Sequence, residues 1–484
     1  MGWGSATLAS GFLKAPLNMT AQALMTSPDW DHYRNNTITA PDQRLYCDWT
    51  ASGRLYRPIE ARLLEVAGPM MANTHTEDSY TGRFMTQALH DAEAVLRQHI
   101  HAGPDDVLLM TGTGMTGALA KLIRMLGLWV HEQHRALVLA QMKHRPVVFV
   151  THMEHHSNHT LWLETLAEVK VIPPTAAGEV DLEWLENELT QLDDAQRRYA
   201  SVTAASNVTG VAAPYRKIAR LLHQHGGYCF VDFACAAPYV DIDMHPEGGE
   251  PLDAVFFSPH KFLGGPGASG VLAFTKRLYR NRIPDQPGGG TVLWTNPWGE
   301  HRFLDDIVAR ESGGTPGILQ GIKAAMAVQL KEQMGWQAMV QQEQALNRHF
   351  FKRLDAIEGI EVLANNQRDR LSVFSIIFKQ VNYQQAVQSL SFQHGIEARG
   401  GCACAGTYGH YLLGIDQQTS HQITCQLDAG ELSAKPGWVR LSFHPMMTLS
   451  EVDRVADAVD EVANKAVTPC DVSNAETRSL WDSF

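Results

Sequence analysis

Lys261 stands between an apolar run and a glycine-rich turn, in Val255-Phe256-Phe257-Ser258-Pro259-His260-Lys261-Phe262-Leu263-Gly264-Gly265-Pro266-Gly267. Most lysines lie on solvated faces among other charges. Desolvating an ammonium favours its neutral, nucleophilic form, which a Schiff-base lysine needs. The turn glycines let backbone and a bulky ligand approach closely. A lysine with its stem buried at a strand-to-loop junction fits the same surroundings, so this stretch alone does not decide. Asp232 ends the apolar run that starts at Tyr228. A carboxylate there is costly to bury unless paired, and a protonated pyridine nitrogen is one partner. Capping the next segment is the other use. An aspartate followed 29 residues later by the lysine of Ser-x-His-Lys is the pair that pyridoxal phosphate requires. The lysine carries the cofactor, and the aspartate keeps its ring nitrogen protonated so that the ring draws electrons.

Other reactive residues follow apolar runs in the same way. Thr111-Gly112-Thr113-Gly114-Met115-Thr116-Gly117 opens a helix, where free N–H groups and the helix dipole favour a phosphate. Such turns are common, and this one alone is a weak signal. His152-Met153-Glu154-His155-His156-Ser157-Asn158-His159 offers four histidines and a glutamate, but not as HExxH and with no matching second cluster, so no metal is expected. A histidine here can stack on an aromatic ring, or the stretch is a solvated loop. Asn207, in Ser206-Asn207-Val208-Thr209-Gly210, can bond a ring substituent or cap a turn.

Positioning these residues requires a sheet. Short β-branched runs at Asp106 to Met110, Pro146 to Thr151, Val169 to Pro173, Ala200 to Ala204, Tyr228 to Phe233, Ala254 to Ser258 and Gly270 to Phe274 are strand candidates. Helix-like stretches such as Gly117 to His131 and Tyr215 to His225 lie between them. Continuous apolar strands alternating with helices predict an α/β fold with a mainly parallel sheet covered on both faces. Ligands gather at the carboxyl ends of such strands, where the residues above fall. Beyond about residue 325 the texture becomes α+β. One or two helices over Ile322 to Leu354 precede strands at Ile360 to Leu363 and Leu371 to Phe378. A helix at Tyr383 to His394, a strand at Trp438 to Phe443 and a helix at Ser450 to Lys465 follow. The expected division is an N-terminal arm at 1–45, a large cofactor-binding domain at 46–325 and a small domain at 326–484.

Composition narrows the function. The 484 residues are 44% hydrophobic, enough for a sizeable core, and carry a net charge of −12 without a basic stripe. That argues against binding nucleic acid or an anionic membrane. No apolar run reaches the roughly 18 residues of a membrane span. The first twenty residues lack the basic region and apolar block of a signal peptide. Seven cysteines, an odd and sparse number, fit a reducing cytosol rather than a disulfide framework, and the expected location is cytoplasmic.

Together these motifs make the chain resemble the class V aminotransferase family of fold-type I pyridoxal phosphate enzymes, in the branch of the cysteine desulfurases and selenocysteine lyases. The resemblance runs from about Tyr46 to Ala463. It rests on Glu154 to Asn158, Ser206 to Gly210, Val231-Asp232, Ser258 to Lys261, Gly313-Gly314-Thr315-Pro316, Arg399 to Ala405 and Val439 to Ser442. It implies that Lys261 holds the cofactor, Asp232 faces the pyridine nitrogen and His155 stacks on the ring. Asn207 would contact the substrate carboxylate or the ring oxygen. Met115, Thr116, Ser258 and His260 would bind the phosphate, and Thr315 the phosphate of a neighbouring subunit, implying a homodimer with a shared site. Arg440 would clamp the substrate carboxylate beside Arg399.

The desulfurase branch also has a reactive cysteine. In Arg399-Gly400-Gly401-Cys402-Ala403-Cys404-Ala405 the family pattern aligns it with Cys404, while Cys402 could serve instead. Two small buried cysteines or a metal pair are the other readings. The implied reaction takes L-cysteine to alanine and leaves a persulfide on Cys404, with a sulfur-acceptor protein as a possible partner. An aminotransferase, an epimerase or another lyase keeps the cofactor but dispenses with Cys404. A non-catalytic scaffold with a vestigial site and a metal hydrolase are the alternatives of other classes. Three departures from the family stand out. Cys235 sits where relatives have a glutamine, 35 residues separate Cys404 from Arg440, and His444-Pro445 replaces a tyrosine-asparagine.

Overall fold

The computed structural model describes residues 28–464, except 41, 43, 75 and 76. Most of the expected arm therefore lies outside the described residues. A seven-stranded sheet dominates the chain: β1 (Asp106–Met110), β2 (Val147–Thr151), β3 (Glu168–Ile172), β4 (Arg198–Thr203), β5 (Tyr228–Asp232), β6 (Ala254–Phe257) and β7 (Val271–Thr275). Their order is β1-β7-β6-β5-β4-β2-β3. Only β7 runs against the rest, pairing antiparallel with β1 and β6. All seven expected strands are present. Their side chains alternate between two cores, as period-2 geometry requires. Val147 and Phe149 of β2, Val231 of β5 and Phe257 of β6 enter one. Val148 and Val150, Phe230 and Phe256 enter the other.

Helices cover both faces. α1 (Tyr80–His99) lies on the first face against α3 (Ile318–Met334), whereas α2 (Gly114–Met125) packs on the second. α3 ends at Gly335, whose φ of 74° breaks the helix before α4 (Trp336–Leu354). A four-stranded antiparallel sheet follows, built from β8 (Ile360–Val362), β9 (Val373–Phe378), β10 (Arg399–Gly401) and β11 (Trp438–Ser442) in the order β8-β9-β11-β10. α4 and a helix at Leu449–Asn464 cover it, so that Phe350, Phe374, Phe443 and Val459 share a further core.

The cores group the elements near the expected boundaries as follows. The buried apolar residues of α3 all belong to the first core, because the helix runs on unbroken through residue 325 to Gly335. Leu45 and Cys47 sit in the core of the small sheet, drawn there by a parallel pairing of Leu45–Tyr46 with Ile396–Glu397. Trp30–Asn36 forms a helix capped by Asp29. The stretch between Cys404 and Arg440 forms α5 (Gly406–Leu413) and α6 (Gln417–Asp428), and α6 buries no side chain.

Candidate active site

Carboxyl ends of β1, β2, β4, β5 and β6 lie along one edge of the large sheet, and a cavity of about 190 Å³ opens there. Met115, Thr116, His155, Asn207, Asp232, Cys235, Ser258, His260, Lys261, Arg399, Cys404 and Arg440 all line it. Thr315 does not; it is exposed and accepts a hydrogen bond from Asn73 at 3.3 Å. Cys402 is also outside the lining.

The helix-opening turn works because two glycines adopt left-handed φ, Gly112 at 66° and Gly114 at 62°. A Cβ at Gly114 would lie 2.7 Å from both Ser258 Oγ and His260 Cε1. Met115 N–H donates to Ser258 Oγ at 2.8 Å, so Ser258 closes against the N-terminus of α2. Thr116 Oγ1 is 2.8 Å from Ser157 Oγ. Burial holds His260 down at about 4, leaving it neutral at physiological pH.

Lys261 ends a short helical turn after β6. Its Nζ has no hydrogen-bond partner among the described residues. Burial lowers its pKa, while Cys235 and Asp232 pull it upward. Asp232 is buried, and Oδ1 accepts the Ala234 N–H at 2.8 Å. Its other oxygen has no protein donor among the described residues. Burial lifts this acid to about 6 against that hydrogen bond and the Lys261 charge. Cys235 spends its donor on the Ser206 carbonyl at 3.6 Å, and burial raises its thiol to about 11.

The histidine-rich stretch is built around a carboxylate, not solvated. Glu154 Oε1 accepts from Thr151 Oγ1 at 2.6 Å and from Thr203 N–H at 2.9 Å, while Oε2 accepts from Asn158 Nδ2 at 2.7 Å. Asn158 Oδ1 in turn accepts from Ser201 Oγ at 2.6 Å. This network fixes the loop after β2 to the end of β4. His155 Nδ1 accepts the Ser157 N–H at 3.1 Å, which puts the ring proton on Nε2. Burial, and then Lys261, hold it near 3, so a neutral ring stands on the cavity wall. No group of three metal-ligating side chains occurs among the described residues.

Arg440 on β11 is buried. Nη2 donates to Asp48 Oδ1 at 2.6 Å and Nη1 to the Asn207 carbonyl at 3.0 Å, while Nε has no partner. Asn207 does not point its amide into free space: Nδ2 donates to the Ala403 carbonyl at 2.6 Å. Arg399 is exposed and lies opposite Arg440 in the strand register. Sequence reasoning missed Asp48, Thr50 and Ala51, which reach the site from the amino-terminal segment; only their place next to Tyr46, where the resemblance starts, marked them.

These residues fit pyridoxal phosphate. The cavity offers an amine with no hydrogen bond, an acid with one oxygen open to a cationic N–H, a neutral flat ring, and a helix N-terminus narrowed by glycine.

Comparisons with known proteins agree. A profile of the family Aminotransferase class-V matches residues 45–455. A probable cysteine desulfurase of Halobacterium salinarum is 30% identical over 320 residues, covering 65% of this chain and 69% of that protein. A probable cysteine desulfurase of Staphylococcus aureus is 27% identical over 364 residues, covering 74% and 83%. The crystal structure of the cysteine desulfurase CsdA from Escherichia coli shares 21% identity at a TM-score of 0.71, over 90% of this chain and 99% of that one. The apo cysteine desulfurase of Thermococcus onnurineus matches at 0.72 with 21% identity, over 91% and 98%. Both establish the same fold. With a family match across most of its length and a cavity that suits the cofactor, this chain belongs to the class-V aminotransferase family and is a pyridoxal phosphate-dependent enzyme.

Proposed function

We propose that the protein is a cysteine desulfurase-like enzyme that moves sulfur from L-cysteine onto Cys404 and releases alanine. The observation that carries this reading is that Lys261, Asp232 and Cys404 line one cavity. The relatives named as probable cysteine desulfurases support it.

In this reading Lys261 would hold pyridoxal phosphate through Nζ, and Asp232 would take the N–H of its ring. Met115, Thr116, Ser258 and His260 would cradle the phosphate at the start of α2, with His155 flat against the ring and Cys235 near its edge. The bound cofactor supplies a sink for electrons left at the substrate α-carbon. Arg440 and Arg399 would receive the α-carboxylate, and Asn207 would hold the wall between Arg440 and the cysteine turn. Lys261, lowered in pKa by burial, would take the α-proton at Nζ. Cys404 thiolate would attack the substrate sulfur. Its S–S bond forms as the substrate C–S bond breaks, and alanine leaves once its carbon is protonated.

Thr315, exposed and outside this cavity, would serve the phosphate site of a second copy, making the enzyme a homodimer. The persulfide would pass to an acceptor protein. No described helix is long and apolar enough to cross a membrane, and the described cysteines are free, which suits a cytoplasmic setting. Incubation with L-cysteine should yield alanine and sulfide. Alanine no higher than in a Lys261→Ala control would remove cysteine as the substrate.

A further inference from the structure

Cys404 lies in a turn that its own residues disfavour. Ala405 N–H donates to the Cys402 carbonyl at 3.0 Å, closing a four-residue turn. Both central residues are left-handed, Ala403 at φ 50° and Cys404 at φ 57°. Turns of that hand favour asparagine and glycine, because a Cβ crowds the backbone there. An Ala-Cys turn of this shape has to be held from outside.

The holding groups are specific. Asn207 Nδ2 donates to the Ala403 carbonyl at 2.6 Å. His156 N–H donates to the Cys404 carbonyl at 2.7 Å. The next residue, Gly406, donates its N–H to His156 Nε2 at 2.8 Å. A Cβ at Gly406 would lie 3.1 Å from that nitrogen, so the bare backbone admits the ring. His156 thus grips the turn on two sides, once with its backbone and once with its ring. It follows His155, which lines the cavity, so one segment sets both the ring wall and the cysteine.

We propose that His156 is a positioning residue that holds this turn so that Cys404, not Cys402, presents its sulfur to the cavity. The catalytic consequence rests on the desulfurase reading. The grip on the turn does not.

Native-state alkylation of the holoenzyme with iodoacetamide, read peptide by peptide by mass spectrometry, gives separate rates for Cys404 and Cys402. His156→Leu removes the acceptor, and the ratio of the two rates is expected to shift by about fivefold or more. His156→Gln places an oxygen where Nε2 stood and should restore the parent ratio. Gly406→Ala pushes a Cβ at the ring with His156 in place and should shift the ratio as His156→Leu does. An unchanged ratio in Gly406→Ala overturns the proposal even if His156→Leu fails to fold. So does a failure of His156→Gln to restore the ratio. Alanine formation from L-cysteine is followed separately. A shifted ratio in an enzyme whose parent forms no alanine leaves the grip standing and sinks the desulfurase reading; the converse sinks the grip alone.

Discussion

Arg399 and Arg440 stand directly opposite each other on neighbouring antiparallel strands, and both line the cavity. Like charges in that position repel and weaken a sheet. Asp48 compensates Arg440 but no carboxylate is paired with Arg399 among the described residues. The pair makes sense as a seat for an anion, such as the α-carboxylate of an amino acid. Arg399→Gln should therefore have opposite effects on two readouts. Stability should rise by about 0.5 kcal/mol, while KM for the amino acid rises by roughly tenfold. Denaturant midpoints and steady-state kinetics test the two halves. A variant that loses stability with an unchanged KM would show that Arg399 serves the sheet instead.

Asp48 carries a second test. Its carboxylate meets a guanidinium that is almost wholly buried. Removing one partner of a buried ion pair strands the other charge, so Asp48→Ala should cost about 3 kcal/mol. Asp48→Asn keeps a hydrogen-bond acceptor and should cost less. Urea unfolding of both variants measures the difference. Equal, small losses would mean that Arg440 draws its support elsewhere.

The fold was legible in the sequence wherever burial was continuous. Six of the seven strands of the large sheet are buried along nearly their whole length, β3 at the edge being partly exposed, and the carboxyl ends of β1, β2, β4, β5 and β6 carry residues that line the cavity. The reading failed where structure depends on distant partners. Asp48 bonds Arg440 from 392 residues away, and His156 bonds Gly406 across 250. No local pattern announces either. β10, read as Arg399-Gly400-Gly401, was invisible because two glycines carry no strand signal. The break between α3 and α4 falls at Gly335, close to the expected limit near 325, and α3 itself is one buried helix across that position.

Acid should weaken the fold through its buried histidines. His444 is 2% exposed, with its ring 4.6 Å from that of Trp49, and burial holds it near 3. The unfolded chain takes up a proton near pH 6.5 that the folded one refuses, so stability is lost as pH falls below that value. At about pH 5 this one residue should cost roughly 2 kcal/mol. Denaturant unfolding of the parent and of His444→Phe at about pH 7 and about pH 5 isolates it. The parent should lose more on acidification than the variant, and equal losses would contradict the assignment.

The two cysteines of the Cys402–Ala405 turn should separate cleanly. Only Cys404 lines the cavity. In a single turnover with L-cysteine, Cys404→Ser should lower alanine formation by about a hundredfold or more, whereas Cys402→Ser should stay within about threefold of the parent. Rapid quench followed by amino-acid analysis gives both rates. The reverse order would move the nucleophile to Cys402. Full activity in both variants would favour a family reaction that needs no thiol.

The most direct test of the account is covalent. Borohydride reduction of the holoenzyme, followed by peptide mass spectrometry, should fix a pyridoxyl group on Lys261 alone, and Lys261→Ala should lose both that label and the near-visible absorbance band. A label on another lysine, or an unchanged band in Lys261→Ala, would contradict it.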